Sequence, residues 1–209
     1  MAQATTQTSD PVLPEVVVMG GSAGGFKAFS AILSALPLDF PLPVLVVQHL
    51  CPGDDGLFAR HLASTVKLPL IEPCDKQWIK QGHVYVAPAN YHMLVEQKGT
   101  IALSVDAKVN WSRPSIDVLF ESAALAFGGR AIAVLLSGAN ADGAAGMQKI
   151  KEAGGLTIVQ DPATAEYPVM PQAAIDSGAG DEVLSVEQIG WRLIELGSRH
   201  IEGFSSGEH

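Results

Sequence analysis

Cysteine is scarce in this chain, basic residues are outnumbered, and no long apolar run occurs. Two cysteines among 209 residues, Cys51 and Cys74, cannot build a disulfide framework and suit a reducing compartment as free thiols. Lys and Arg total 13 against 22 Asp and Glu, a formal net charge of −9, which argues against nucleic acid or an anionic membrane as a partner. No stretch approaches the roughly 18 apolar residues of a membrane span, and Met1 to Asp10 lacks the basic and apolar blocks of a secretory signal. The expectation is a cytoplasmic protein with no membrane insertion. Only 17% of residues are charged while 47% are apolar, so there is material for a packed core and no sign of a disordered composition.

At roughly 150 residues per domain, the length suits one domain. The polar first fifteen residues and the Gly/Ser-rich end read as flexible tails, 1–15 and 200–209, around a domain at 16–199. Inside it, Val16–Met19, Val44–Val47, Ala131–Leu136 and Leu156–Val159 are short continuous apolar runs, the pattern of strands buried on both faces of a parallel sheet. Helical spacing separates them. Phe26, Phe29, Ile32, Leu33 and Leu36 mark one helix, and Ile116, Leu119, Phe120, Ala123 and Phe127 mark a second that stops at Gly128-Gly129. Asp142 to Ala153 and Val186 to Ser198 give two more. Val84-Tyr-Val-Ala, Met93-Leu-Val-Glu and Ile101-Ala-Leu-Ser, with Gln97-Lys98-Gly99 before the last, read as an antiparallel hairpin added at an edge of the sheet. The predicted fold class is therefore α/β: a three-layer α/β/α, doubly wound, mostly parallel sheet with an appended hairpin, its ligands at the carboxyl ends of the strands.

Candidate chemistry collects at those ends. Gly20-Gly-Ser22-Ala-Gly24-Gly25 satisfies G-x-S-x-G between a strand and a helix, the context of a nucleophile elbow, and the helix start offers free N–H groups such as that of Ala23 to an oxyanion. A phosphate-binding or plain Gly-rich turn also fits these residues. A dinucleotide fingerprint does not: it needs G-x-G-x-x-G and an acidic residue ending the second strand, which here ends in Gln48-His49. His49 is a candidate base for Ser22, and Asp142, at the third strand end, either orients that base or caps the helix it precedes. Cys51 has no helix entrance to activate it and reads as a bystander. His61, His83 and His92 lack metal-ligand spacing, so no metal site is expected. Jointly, Ser22, His49 and Asp142 supply a nucleophile, a base and a carboxylate at one sheet edge.

Several motifs in one order carry a family resemblance: Gly21-Ser-Ala-Gly-Gly25, Val47-Gln-His-Leu50, Gly82-His-Val-Tyr-Val-Ala-Pro88 with His92, Arg113-Pro-Ser-Ile-Asp-Val-Leu-Phe120, Leu136 through Gly146, and Met170-Pro-Gln-Ala-Ala174. On these the chain resembles, nearly end to end, the catalytic domain of the CheB family of protein-glutamate methylesterases. The resemblance implies a cofactor-free serine hydrolase that removes methyl esters from glutamates on the cytoplasmic helices of chemoreceptors and deamidates glutamines there. It assigns Ser22 as nucleophile, His49 as general base and Asp142 as the carboxylate orienting it. Ala23 and Ala139 stand where chemotaxis members often have Thr and Met, and both are carried as oxyanion or substrate-binding positions. Asn140 stands where Gly is usual. Members commonly carry an amino-terminal receiver domain, which fifteen residues cannot hold. The expectation is a stand-alone esterase controlled by a separate response regulator or another signalling partner. A non-catalytic or differently specific module of the same fold is the rival reading.

Overall fold

Six consecutive buried residues, Val16–Gly21, form β1, and their chain neighbours in space are equally apolar: β2 (Val44–Gln48) on one side and β8 (Ala131–Leu135) on the other. The fold is known from a computed structural model, which describes residues 13–205, with side chains to residue 200. The expected tails at residues 1–12 and 206–209 lie outside the described residues. Glu15 is already tied in, its N–H donating to the Arg130 carbonyl (2.8 Å) and its carboxylate pairing with the Arg130 guanidinium (2.7 Å).

The remaining elements in chain order are α1 (Gly25–Ala35), α2 (Leu57–Ala63), β3 (Leu70–Ile71), β4 (Gln77–Trp78), β5 (Val84–Val86), β6 (His92–Val95), β7 (Thr100–Ser104), α3 (Ile116–Phe127), α4 (Ala144–Glu152), β9 (Leu156–Gln160), α5 (Val169–Asp176), β10 (Glu182–Leu184) and α6 (Val186–Ser205). Seven strands make an all-parallel sheet in the order β10-β9-β8-β1-β2-β5-β3. The strand order reverses between β1 and β8, the switch point where an open α/β sheet leaves a crevice. Alternate residues of one strand feed two cores. Val17, Met19, Val44 and Val46 pack under α1, α2 and α6, while Val16, Val18, Leu45 and Val47 pack under α3, α4 and α5. Two-sided burial explains why these strands read as unbroken apolar runs.

The hairpin is present as β6 and β7, but it pairs with β4 in a separate three-stranded antiparallel sheet and does not extend an edge of the main one. Val84–Val86, grouped with it by sequence, instead lies inside the parallel sheet between β2 and β3. Burial decides the difference. All of β5 is buried, as a central strand must be, whereas Met93, Val95 and Ile101 turn one face of the hairpin onto the α3 core. Helices α2 and α5 were not marked by periodicity, because seven- and eight-residue segments give at most two turns of pattern. Helix α6 runs to Ser205, past the boundary at 199 expected from composition.

Candidate active site

Register alone brings two of the candidate residues together. Gly21 of β1 is paired with Gln48 of β2, so Ser22 and His49 are the next residues of two adjacent parallel strands. The His49 N–H donates to the Gly21 carbonyl (3.1 Å), and the Gln48 side-chain amide donates to the carbonyls of Ser22 (2.8 Å) and His49 (3.1 Å). Ser22 is held from the other side by its N–H on the Ser137 carbonyl (2.9 Å), just beyond β8. Gly24 then turns the chain into α1 with φ of 74°, a conformation glycine adopts without a Cβ clash; a Cβ there would also lie 2.7 Å from Ser137 Oγ. Ser22 Oγ has no hydrogen-bond partner among the described residues. It opens with His49 into a cavity of about 510 Å³ whose apolar wall is Phe26, Leu50, Leu57 and Phe58.

Asp142 reaches the same point from the loop after β8. Its Oδ2 lies 2.7 Å from His49 Nε2, with the Asp142 side chain fully buried and His49 nearly so. The same oxygen accepts the Ile116 N–H (2.8 Å), and Oδ1 accepts Ser115 Oγ–H (2.9 Å), the Asn110 amide (3.1 Å) and the Asp117 N–H (3.2 Å). Burial pushes this carboxyl up, but the bonds from His49, Ile116 N–H and Asn110 outweigh it and bring its pKa down to about 2. An ionised Asp142 can only accept, so the hydrogen of this bond sits on His49 Nε2, and Nδ1 is the ring nitrogen that the carboxylate does not engage.

The helix that Asp142 caps is not its own. Its bonds close the start of α3, while the start of α4 is closed by Asp117, whose Oδ1 accepts the N–H groups of Gly143 (2.9 Å) and Gly146 (2.7 Å). Thus α3 carries the carboxylate that caps α4, and the loop entering α4 carries the one that caps α3. Asn110 bridges the pair, donating to Asp117 Oδ2 (2.8 Å) as well as to Asp142. Burial raises the Asp117 pKa to about 6, aided by the neighbouring Asp142 and opposed by the Gly146 and Gly143 N–H groups. Helix α4 accordingly begins at Ala144, two residues later than the periodicity suggested.

Of the two alanines, Ala23 keeps its N–H without a protein acceptor among the described residues, while its carbonyl accepts Ser137 Oγ–H (2.8 Å). Ala139 is exposed and does not line the cavity. The buried His92 holds its two ring nitrogens on the Ala107 carbonyl (3.1 Å) and the Ser115 N–H (3.2 Å), behind the residue that donates to Asp142. Cys51 lines the cavity and is exposed; His61 rests against the Phe26 ring. Among the described residues, no group of three His, Cys, Asp or Glu could hold a metal ion, and no helix is long and apolar enough to cross a membrane. Sequence reasoning missed Asn110, Ser115 and Asp117 as parts of the site. Ser115 and Asp117 fall within the Arg113–Phe120 motif, so the motif was the available signal.

Comparison with known proteins gives this geometry its setting. The family model for CheB methylesterase matches residues 17–193. The chain belongs to the CheB methylesterase family. A relative from Leptospira interrogans is 47% identical over 188 residues, spanning 90% of this chain and 97% of that one. The Pseudomonas aeruginosa protein-glutamate methylesterase/protein-glutamine glutaminase 2 is 37% identical over 207 residues, 97% of this chain but 59% of its own length. The crystal structure of the Thermotoga maritima CheB methylesterase catalytic domain superposes with a TM-score of 0.84 at 37% identity, covering 88% of this chain and all of that one. Seven main strands flanked by helices, with a small antiparallel sheet beside them, are thus the CheB catalytic-domain fold.

Proposed function

We propose that this chain is a serine hydrolase of receptor side chains, converting glutamate methyl esters to glutamate and methanol and deamidating glutamines on the same cytoplasmic helices. Ser22 Oγ attacks the ester carbonyl while His49 Nδ1 takes its proton. Asp142, ionised and bonded to Nε2, stabilises the imidazolium that forms. The tetrahedral oxyanion lies toward the free Ala23 N–H at the entrance of α1, where aligned backbone dipoles favour negative charge. Collapse expels methoxide, which His49 protonates to methanol. Water, deprotonated by the same imidazole, then attacks the acyl-serine, and the carboxylate leaves with Ser22 restored. For glutamine the leaving group is ammonia, and the remaining steps are the same. Such a substrate requires a cytoplasmic enzyme.

The observation that carries this reading is the 2.7 Å bond from His49 to a fully buried carboxylate, with His49 and Ser22 each following a paired strand residue and lining one cavity. Methanol release from a methylated receptor cytoplasmic fragment tests it. Ser22→Ala, which removes a half-buried hydroxyl without protein partners among the described residues, should cut release by at least about 10³-fold with Tm unchanged. Undiminished release by the folded variant, or none from either protein, would overturn the assignment.

A further inference from the structure

The segment 105–114 roots in the candidate site and ends in an unused aromatic. Val109 and Ser112 exchange both backbone hydrogen bonds (2.9 and 3.2 Å), closing a two-residue turn at Asn110 and Trp111 whose φ values are 49° and 64°. Both lie in the left-handed region, which suits asparagine and glycine and disfavours a bulky side chain. Asn110 repays its conformation through its bonds to Asp117 and Asp142. Trp111 does not, because the residue is 94% exposed and contributes nothing to the core. The tip is nevertheless held. Arg113 Nη1 donates to the Val105 (2.6 Å) and Asp106 (2.9 Å) carbonyls, and His92 donates to the Ala107 carbonyl (3.1 Å). An aromatic in a disfavoured backbone conformation, fixed at its base and offered to solvent, is the arrangement of a preorganised contact.

What it faces narrows the partner. Trp111 lines a cavity of about 150 Å³ together with His49, Leu50, Pro52, Lys108 and Arg113. His49 and Leu50 also line the larger cavity of Ser22, so the two cavities adjoin at the imidazole as one trough. In a chain of net charge −9, the Trp111 end of that trough is lined by two cations and by no carboxylate. The Ser22 end carries the carboxylates Asp54 and Glu166 beside Lys27, so a helix with its uncharged ester at Ser22 and its free glutamates toward Trp111 matches the sign at each end.

We propose that Trp111 is a specificity-determining contact for the receptor helix, its indole packing on that helix beside the ester while Lys108 and Arg113 meet its free glutamates. The proposal rests on receptor helices being the substrate, and its test separates the two. Binding of the methylated receptor fragment is titrated against the full chain carrying Ser22→Ala, with and without Trp111→Gly. The added substitution should weaken binding by about 30-fold. In the active enzyme, the ratio of kcat/KM on the fragment to kcat/KM on p-nitrophenyl acetate should fall about as far through KM, and Trp111→Phe should recover part of it. Glycine relieves the backbone, so Tm should hold or rise. A purely structural role would lower both substrates together and leave the ratio unchanged. If Trp111→Gly binds the fragment as tightly as its parent, the contact is wrong and the hydrolase stands; if the parent itself neither binds nor demethylates the fragment, the functional reading falls and the contact with it.

Discussion

Asp142 accepts five hydrogen bonds, and only one of them comes from His49. Removing its side chain would orphan the first N–H groups of α3 as well as the imidazole, so loss of activity on that substitution would not isolate chemistry; Ser22 gives the cleaner test. The neighbouring Asp117 permits a separate measurement. Its pKa in the fold, about 6, exceeds the roughly 3.9 of an unfolded aspartate, so its contribution to stability is fully present below about pH 4 and is lost as pH rises toward 6. Asp142, held at about 2, has the opposite sign: its contribution is present above about pH 4 and is lost as pH falls through 2. Asp117→Asn removes the first slope and leaves the second. The Tm of the unmodified protein minus that of Asp117→Asn should therefore decline between pH 4 and 7, and a flat difference would show that Asp117 carries no such penalty.

At the scale of elements, α3 and α4 form one unit, because Asp117 of α3 caps α4 and Asp142, in the loop entering α4, caps α3. Gly146 sits where they cross: a Cβ there would lie 2.6 Å from Phe120 Cβ and 3.1 Å from the Asp117 backbone. Gly146→Ala must push the helices apart or shift Asp117, at a cost of about 1–3 kcal/mol. Thermal unfolding should occur about 2–12 °C lower. Demethylation should slow through kcat, since Asp117 and Asp142 share Asn110; an unchanged Tm would show that the crossing yields without strain. This interlock also marks where the sequence stops being readable. Val16–Met19 and Val44–Val47 declared themselves by two-sided burial, and the strand ends then located Ser22, His49 and Asp142. The capping partners did not declare themselves. A Ser or Asp at a helix start signals a cap for that same helix, and nothing local says that Asp142 serves α3 while Asp117 serves α4. The left-handed Asn110 was equally silent, because its two acceptors lie 7 and 32 residues away. The split of the hairpin from the main sheet was hidden for a related reason: short strands of either kind are apolar, and only the α3 core decides which face of Met93 and Val95 is covered.

Across the whole molecule, the net charge of −9 and the cationic end of the trough act at different ranges. Screening falls off over about 8 Å at physiological ionic strength and about 30 Å at 0.01 M, so at low salt an approaching glutamate-bearing helix meets the field of the entire surface. That field repels it. Lys108 and Arg113 act within a few ångströms of a docked ligand, closer than the screening length at either salt, and their attraction survives. The approach is therefore slowed more than the bound state is weakened. Raising ionic strength from about 0.01 to 0.15 M should increase kcat/KM on the receptor fragment a few-fold. A neutral ester such as p-nitrophenyl acetate feels no such field, and its turnover supplies the reference at each salt. Should fragment turnover fall with salt while the neutral ester stays level, the local cations govern the encounter, and the acidic surface plays no part in setting the rate.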